Sequence, residues 1–269
     1  MRPTLLNKGI ATQSRGSFSN KEYNQLHIAL RNFHTKTTNK KAAATRETLR
    51  NYLLVLANTG IRHGTEALNL RWRNIDWYEK EGEKYLEFSV DGKTNSRSLI
   101  GRDSLQDPLL RQSQLNPNLD FNNLDELCNS KSDEFVFTNR LGERATVFNL
   151  NRAFNTLLED LSLKVGSDDK ERTLYSLRHY YATQDLSRGM STHLLAKQLG
   201  NSTKMLDQHY SKVSSRLNAD LHSGRKANKA SAIKSESDLT PCPYCAEDIK
   251  LKAIKCKHCG EWLNKDANS

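Results

Sequence analysis

Tyr210, Arg62 and Arg178 are the residues whose types and spacing bear most directly on chemistry. Arg178 stands in SLRHYYAT, and Tyr210 follows it by 32 residues in QHYSK. Arg62 comes much earlier, in NTGIRHGTEALNLRW, directly after a Thr59-Gly60 break. A phenol ionises near a pKa of about 10, so at neutral pH it is a weak nucleophile until something favours the phenolate. Two guanidinium groups do so through space, and each forks onto the non-bridging oxygens of a phosphate. Charge that builds on those oxygens during displacement then meets fixed donors, each worth a few kcal/mol where water is excluded. Two distant arginines and a late tyrosine are therefore the set that phosphodiester transfer through a phosphotyrosine requires. The energy of the broken bond stays in the tyrosyl phosphate, so this chemistry asks for neither ATP nor a metal.

A second constellation lies at the end of the chain. Cys242 and Cys245 form one Cys-x-x-Cys knuckle, Cys256 and Cys259 another, and ten residues separate the two. Four thiolates suit tetrahedral zinc, and paired knuckles converge on it in a zinc ribbon. Disulfides are the alternative, favoured only in an oxidising compartment. His258 sits inside the second knuckle and is expected to point away from it. Cys128 has no partner in the body and reads as a free thiol. Residues 241–269 carry five Lys/Arg against four Asp/Glu, which leaves DNA, RNA and protein all open as ligands of the ribbon.

The net charge of +10 is unevenly placed. Residues 1–50 hold ten Lys/Arg against only Glu22 and Glu47, whereas residues 51–222 hold 22 against 23 acidic groups. The basic stripe from Thr35 to Arg50 includes Lys36, Lys40, Lys41, Arg46 and Arg50. It reads as an electrostatic footprint for a phosphate backbone, with a solvated helix face as the alternative. No run approaches the roughly 18 apolar residues of a membrane span, and the first residues lack an apolar stretch of signal-peptide length. The expectation is a cytoplasmic protein with no membrane partner.

The elements that must position these residues follow from periodicity. Residues 1–16 read as an irregular arm. Ser19 is an N-cap candidate for a helix with Tyr23, Leu26, Ala29, Leu30 and Phe33 on one face. A second helix runs from about Lys41 to Ala57, burying Leu49, Leu53 and Leu56, and a third starts near Gly64-Thr65 with Leu68, Leu70 and Trp72. Tyr85 to Val90 alternates as a strand, Asp91-Gly92 turns, and Ser98 to Ile100 returns. Residues 103–133 offer only a weak helix or a long loop, and FVFTNRLG a short strand and turn. Helices are expected over VFNLNRAFNTLLEDLSL, around Ser176–Arg188 and Ser191–Leu199, and leading into Tyr210. Residues 223–240 are small, polar and basic, as a flexible linker is.

The stretches around Arg62, Arg178 and Tyr210 resemble the tyrosine recombinases, the phage-integrase family of site-specific DNA recombinases. The resemblance implies a mainly α fold with a small antiparallel β-sheet over residues 17–222, followed here by the small C-terminal zinc ribbon at 241–269. It also implies a 3′-phosphotyrosine intermediate, double-stranded DNA with attachment-type sites as substrate, and action as a homo-multimer. Lys93, on the DGKTNSR hairpin, matches the lysine that protonates the departing 5′ oxygen. Glu66 falls four positions after Arg62 and takes a supporting role. Two positions depart from the family pattern. Tyr175 stands three residues before Arg178 where the family usually has histidine, and a tyrosine is a poor proton acceptor at neutral pH. Asn201 follows Leu199-Gly200 where histidine or tryptophan is usual; its amide can still donate to a phosphate oxygen. The resemblance runs from about Ser17 to Leu221, so the family's N-terminal helical core-binding domain is not expected within these residues. Zinc is the one cofactor expected, in the ribbon, with none for catalysis. The alternative is a catalytically weakened remnant that binds DNA as a regulatory or site-holding factor, and a further possibility makes the ribbon an adapter for a protein or nucleic-acid partner.

Overall fold

A computed structural model describes residues 16–92, 96–167 and 169–207, with short pieces beyond at 219, 223, 239–241, 248–250 and 253. The chain divides into two compact units, Met1–Ser214 and Ser215–Ser269. Within the first, helix α1 (Asn20–Arg31) starts at Ser19, whose side chain and that of Glu22 form a reciprocal capping box. A short 3-10 turn (Phe33–Lys36) carries Phe33 into the core. Helix α2 (Lys40–Thr59) is the axis of the unit: Asn39 caps its start, and from Thr48 to Ala57 only Arg50 escapes full burial. It is enclosed because the helices Gln106–Ser113, Val147–Asp160 and Ser176–Ser187 pack against it. Gly60 ends it in the left-handed conformation at φ 67°, which a glycine adopts without the Cβ penalty.

The expected third helix does not form as an α-helix. Residues 62–74 instead make a turn and two 3-10 helices, Ala67–Asn69 and Trp72–Asn74. The reason is competition for backbone groups. Trp72 donates to the carbonyl of Glu134 (3.1 Å) and Leu70 accepts from Val136 (2.9 Å), so this segment is tied to 134–136 rather than to its own next turn. In place of the strand expected in FVFTNRLG there are isolated bridges, Arg71 with Phe135 and Thr138 with Arg144. The apolar residues are buried as expected; only the period was misleading.

Three antiparallel strands follow in the order β1 (Ile75–Lys80), β2 (Glu83–Asp91), β3 (Ser96–Ile100). β1 was not anticipated; its Ile75 faces Phe88 across the ladder, and Val90 faces Arg97 on the other side of β2. Ser96 Oγ donates to Asp91 Oδ1 (2.6 Å), closing the base of the β2–β3 hairpin. Residues 103–133 contain two helices where a loop seemed equally open, α3 (Gln106–Ser113) and α4 (Leu124–Asn129). α4 is capped by Asn123 and buries Leu124, Leu127 and Cys128. The free thiol of Cys128 is thus in the core. Helices α5 (Val147–Asp160), α6 (Ser176–Ser187) and α7 (Thr192–Leu199) match the expected segments, and residues 203–207 are helical as well. In the second unit β4 (Leu239–Pro241) pairs antiparallel with β5 (Asp248–Lys250), so Leu239 and Thr240 of the expected linker are strand. Among the described residues no helix is long and apolar enough to cross a membrane.

Candidate active site

The C-terminal end of α7 organises the site. A helix ends with carbonyls that have no partner of their own and carry the negative end of the dipole. Here three consecutive carbonyls are each met by a different arginine. Arg97 Nε donates to Gln198 O (3.3 Å), Arg178 Nη2 to Leu199 O, and Arg62 Nη2 to Gly200 O. Gly200 closes the helix in the left-handed conformation at φ 61°, and a Cβ there would stand 2.8 Å from Arg97 Nε. A side chain there would be strained by the positive φ and would have to push Arg97 aside.

The two arginines singled out from sequence come together beside this end. Arg62 Nη2 and Arg178 Nη2 both donate to Asn201 Oδ1, at 3.0 and 3.1 Å. The amide oxygen thus sits where both guanidiniums converge, and it marks the place an anionic oxygen would take. Arg178 is only 3% exposed and also donates to the carbonyl of Gly60. Burial, opposed by the nearby Tyr175 phenol and reinforced by the charge of Arg62, lowers its pKa to about 10, so it is a cation at neutral pH. Arg62 remains partly exposed and lines a cavity of about 1040 Å³.

Glu66 is the counter-charge. Its carboxylate accepts from the Arg62 backbone N–H (2.9 Å) and from Arg62 Nη1. It also takes both prongs of Arg97, at 2.6 and 2.9 Å. Burial pushes its pKa up, but the Arg97 and Arg62 hydrogen bonds outweigh that and hold it at about 2. Arg97 is the residue that sequence reasoning missed. Its signal was present: β3 alternates, and Arg97 is in phase with buried Leu99, so a charge stands on the inward face of the strand. His193 and Lys197 of α7 line the same cavity together with Gly92, Ser96 and Ser98 of the hairpin. The cavity therefore presents Arg62, Arg97, Lys197 and His193 with one buried carboxylate, a lining suited to an anion.

The other expected residues are distributed differently. Tyr175 occupies the N-cap position of α6 without a side-chain cap bond, its ring meets His179 edge to face at 5.3 Å, and its phenol is near Arg178. Tyr180 is core, stacked on Tyr23 at 4.2 Å. Of the basic stripe, Lys40 and Lys41 are exposed, and Lys36 approaches Asp160 at 3.8 Å. Arg46 and Arg50 are half-buried: Arg46 lies over the Phe33 ring and donates to its carbonyl, and Arg50 Nε is enclosed. Arg46 thus also ties α2 to the Phe33 turn. Lys93, Tyr210, Cys242, Cys245, Cys256 and Cys259 lie outside the described residues. Among the described residues no group of His, Cys, Asp or Glu could hold a metal.

The phage integrase family profile matches residues 18–216, a span that includes every arginine of this site. The chain belongs to the phage integrase family. Solved structures similar to this integrase-family chain include the XerH site-specific recombinase bound to a palindromic difH substrate (TM-score 0.54, 18% identity, 84% of this chain and 55% of that one). Another is XerA recombinase, with TM-score 0.54 and 19% identity over 78% of this chain and 65% of that one. A third is the Tn1549 transposon integrase in complex with transposon right end DNA, with TM-score 0.51 and 14% identity over 79% and 67%. At these identities the likeness is one of fold, the tyrosine recombinase catalytic fold. The chain spans little more than half the length of the XerH chain. No curated protein matches it.

Proposed function

We propose that this chain is a site-specific DNA recombinase that breaks and rejoins strands through a 3′-phosphotyrosine at Tyr210. The observation that carries the reading is the convergence of Arg62 and Arg178 on one oxygen position beside a cationic cavity. A scissile phosphate placed there would have its non-bridging oxygens met by two guanidiniums, with the Asn201 amide group left to donate. Tyr210 Oη gives up its proton to solvent and bonds to phosphorus, the 5′ oxygen leaves and takes a proton, and the partner strand's hydroxyl reverses the step. Lys93 is the proposed donor of that proton. The hairpin supports this, because its base residues Gly92 and Ser96 line the cavity and Lys93 lies between them. Glu66 keeps Arg62 oriented, and Tyr175 acts through Arg178 rather than as a base. Duplex DNA with paired attachment-type sites and a homo-multimer are the partners this reading carries, in the cytoplasm. Exposed Lys40 and Lys41 supply backbone contacts, with Lys36 beside them.

Cys242, Cys245, Cys256 and Cys259 are the proposed ligands of one structural zinc. The β4–β5 pairing supports it, since residues 242–247, with the first knuckle, form the connection between two paired strands. Zinc takes no part in the strand-transfer chemistry.

A nicked suicide duplex tests the reading. Wild-type protein should give a covalent protein–DNA band on a denaturing gel, and Tyr210→Phe should give none. An adduct that persists in that variant moves the nucleophile elsewhere. A wild type that binds its selected site yet never forms adduct supports the second reading, a site-holding factor. That second reading draws on Tyr175 and Asn201, neither of which carries a charge or a basic ring into the cavity.

A further inference from the structure

We propose that Arg97 is a positioning residue of this site, the cation that fixes Glu66 and through it sets where Arg62 presents its donors. The inference rests on the recombinase reading only for what Arg62 contacts.

Four observations carry it. Glu66 has a side chain only 1% exposed, so its charge must be met by protein groups. Arg97 meets it with a two-pronged fork at 2.6 and 2.9 Å, the planar pairing that a lysine cannot reproduce. The other side of the same carboxylate holds Arg62 twice, by backbone N–H and by Nη1. Finally, Arg97 is itself held from a second direction by the Gln198 carbonyl and lies against Gly200, where a Cβ would come within 2.8 Å. Arg97 is therefore fixed by α7 and the strand, Glu66 is fixed by Arg97, and Arg62 is fixed by Glu66. The chain of contacts ties the β2–β3 hairpin to the phosphate clamp.

The consequence is a dependence on protons. The charged groups facing Glu66 are Arg62 from its own loop, Arg97 from β3 and Arg178 from α6, with His193 and Lys197 of α7 lining the same cavity. Without Arg97 the buried carboxylate loses its best partner and takes up a proton at a higher pH. A protonated Glu66 then has an O–H where it had an acceptor, and Arg62 Nη1 is released. Arg62 is then held through Nη2 alone, by Gly200 O and Asn201 Oδ1, and the plane of its guanidinium is no longer fixed.

The experiment uses the full chain, Arg97→Gln and Arg97→Lys, and a nicked duplex carrying the site that wild type selects from a random-sequence pool. In Arg97→Gln, cleavage at neutral pH should fall by about 100-fold while duplex affinity stays within about threefold, the pattern of lost orientation rather than lost binding. The acid limb of its pH–rate profile should move to higher pH. Arg97→Lys, with a charge but no fork, should recover about tenfold of the rate. In parallel, 13C-carboxyl NMR, with Glu66→Gln to identify the signal, should show Glu66 titrating more than about one pH unit higher in Arg97→Gln. Wild-type rate and pH profile in Arg97→Gln overturn the proposal. So does a loss of duplex affinity equal to the loss of cleavage, which would make Arg97 a DNA contact. If Arg97→Gln does not fold, the same readings on Arg97→Lys decide: an unaltered pH profile overturns the proposal. If wild type cleaves nothing, the recombinase reading falls by itself, and the Glu66 titration alone decides the role of Arg97.

Discussion

Glu66 shows how one buried charge can serve both stability and chemistry. Its pKa, held at about 2 against an ordinary value of 4.5, makes the folded state prefer the carboxylate. Its stabilising contribution is therefore complete above about pH 4.5 and disappears as pH falls toward 2. By linkage it amounts to about 3 kcal/mol. Urea unfolding of wild type and Glu66→Gln should show a wide gap at neutral pH that narrows through this window; a gap independent of pH would remove the charge from the account. Arg178 makes a complementary case. Its donors reach Gly60, Leu199 and Asn201 at once, so Arg178→Lys should lose cleavage by about two orders of magnitude, because a point charge cannot fork. Near-wild-type cleavage in that variant would remove the fork from the mechanism. Arg62 and Arg178 were legible in sequence because their motifs are local. Arg97 showed only as an inward-phased charge in β3; its role was not legible, because its partner Glu66 is 31 residues away and only the fold joins them.

At the scale of elements, two left-handed glycines end two helices and let arginines and aromatic rings close over them. Gly60 is the more demanding: a Cβ there would lie 2.5 Å from Leu199 Cδ2 and 2.6 Å from Tyr181 Cδ1. Gly60→Ala should therefore cost about 3 kcal/mol, from φ strain and overpacking together. Gly189→Ala is the control. Gly189 also has positive φ but has nothing within 4 Å of its Cβ position, and it should cost about 1 kcal/mol. Equal melting-temperature losses in the two variants would show that packing between α2, α6 and α7 is not what Gly60 protects. Helices α1, α2, α5, α6 and α7 were legible because each has a capping residue or a glycine stop together with an apolar face. The third expected helix was not, since its apolar spacing is also what a loop needs when it is pinned to 134–136. β1 was hidden for a similar reason: Ile75 is its only fully buried residue, so alternation has almost nothing to show. The helices α3 and α4 are short, and their Asn- and Asp-rich surroundings carry the composition of a loop.

For the whole molecule, the division at Ser214 separates the arginine site from the cysteine knuckles. A chain ending at Gly224 should keep the cooperative unfolding of the first unit, and elemental analysis should find one zinc in the full chain and none in the shortened one. Zinc-free full-length protein, purified reduced, would end the metal assignment. Loss of cooperative unfolding on shortening would join the two units energetically. The charge of +10 was a poor guide to place, because arginines such as Arg172, 2% exposed and bonded to Ser17, Leu163 and Glu22, are structural.

The carboxamide of Gln198 has a wider effect than its contacts show. It donates to the Ile100 carbonyl (2.8 Å) and accepts from the Ile100 N–H (3.2 Å), as a neighbouring strand would. β3 is an edge of the sheet, and an open edge is a template on which another chain can add itself. α7 places a two-bond imitation of a strand at that edge. The row of peptide groups that an edge strand offers to a second chain is thereby interrupted at Ile100 by a side chain of the same molecule.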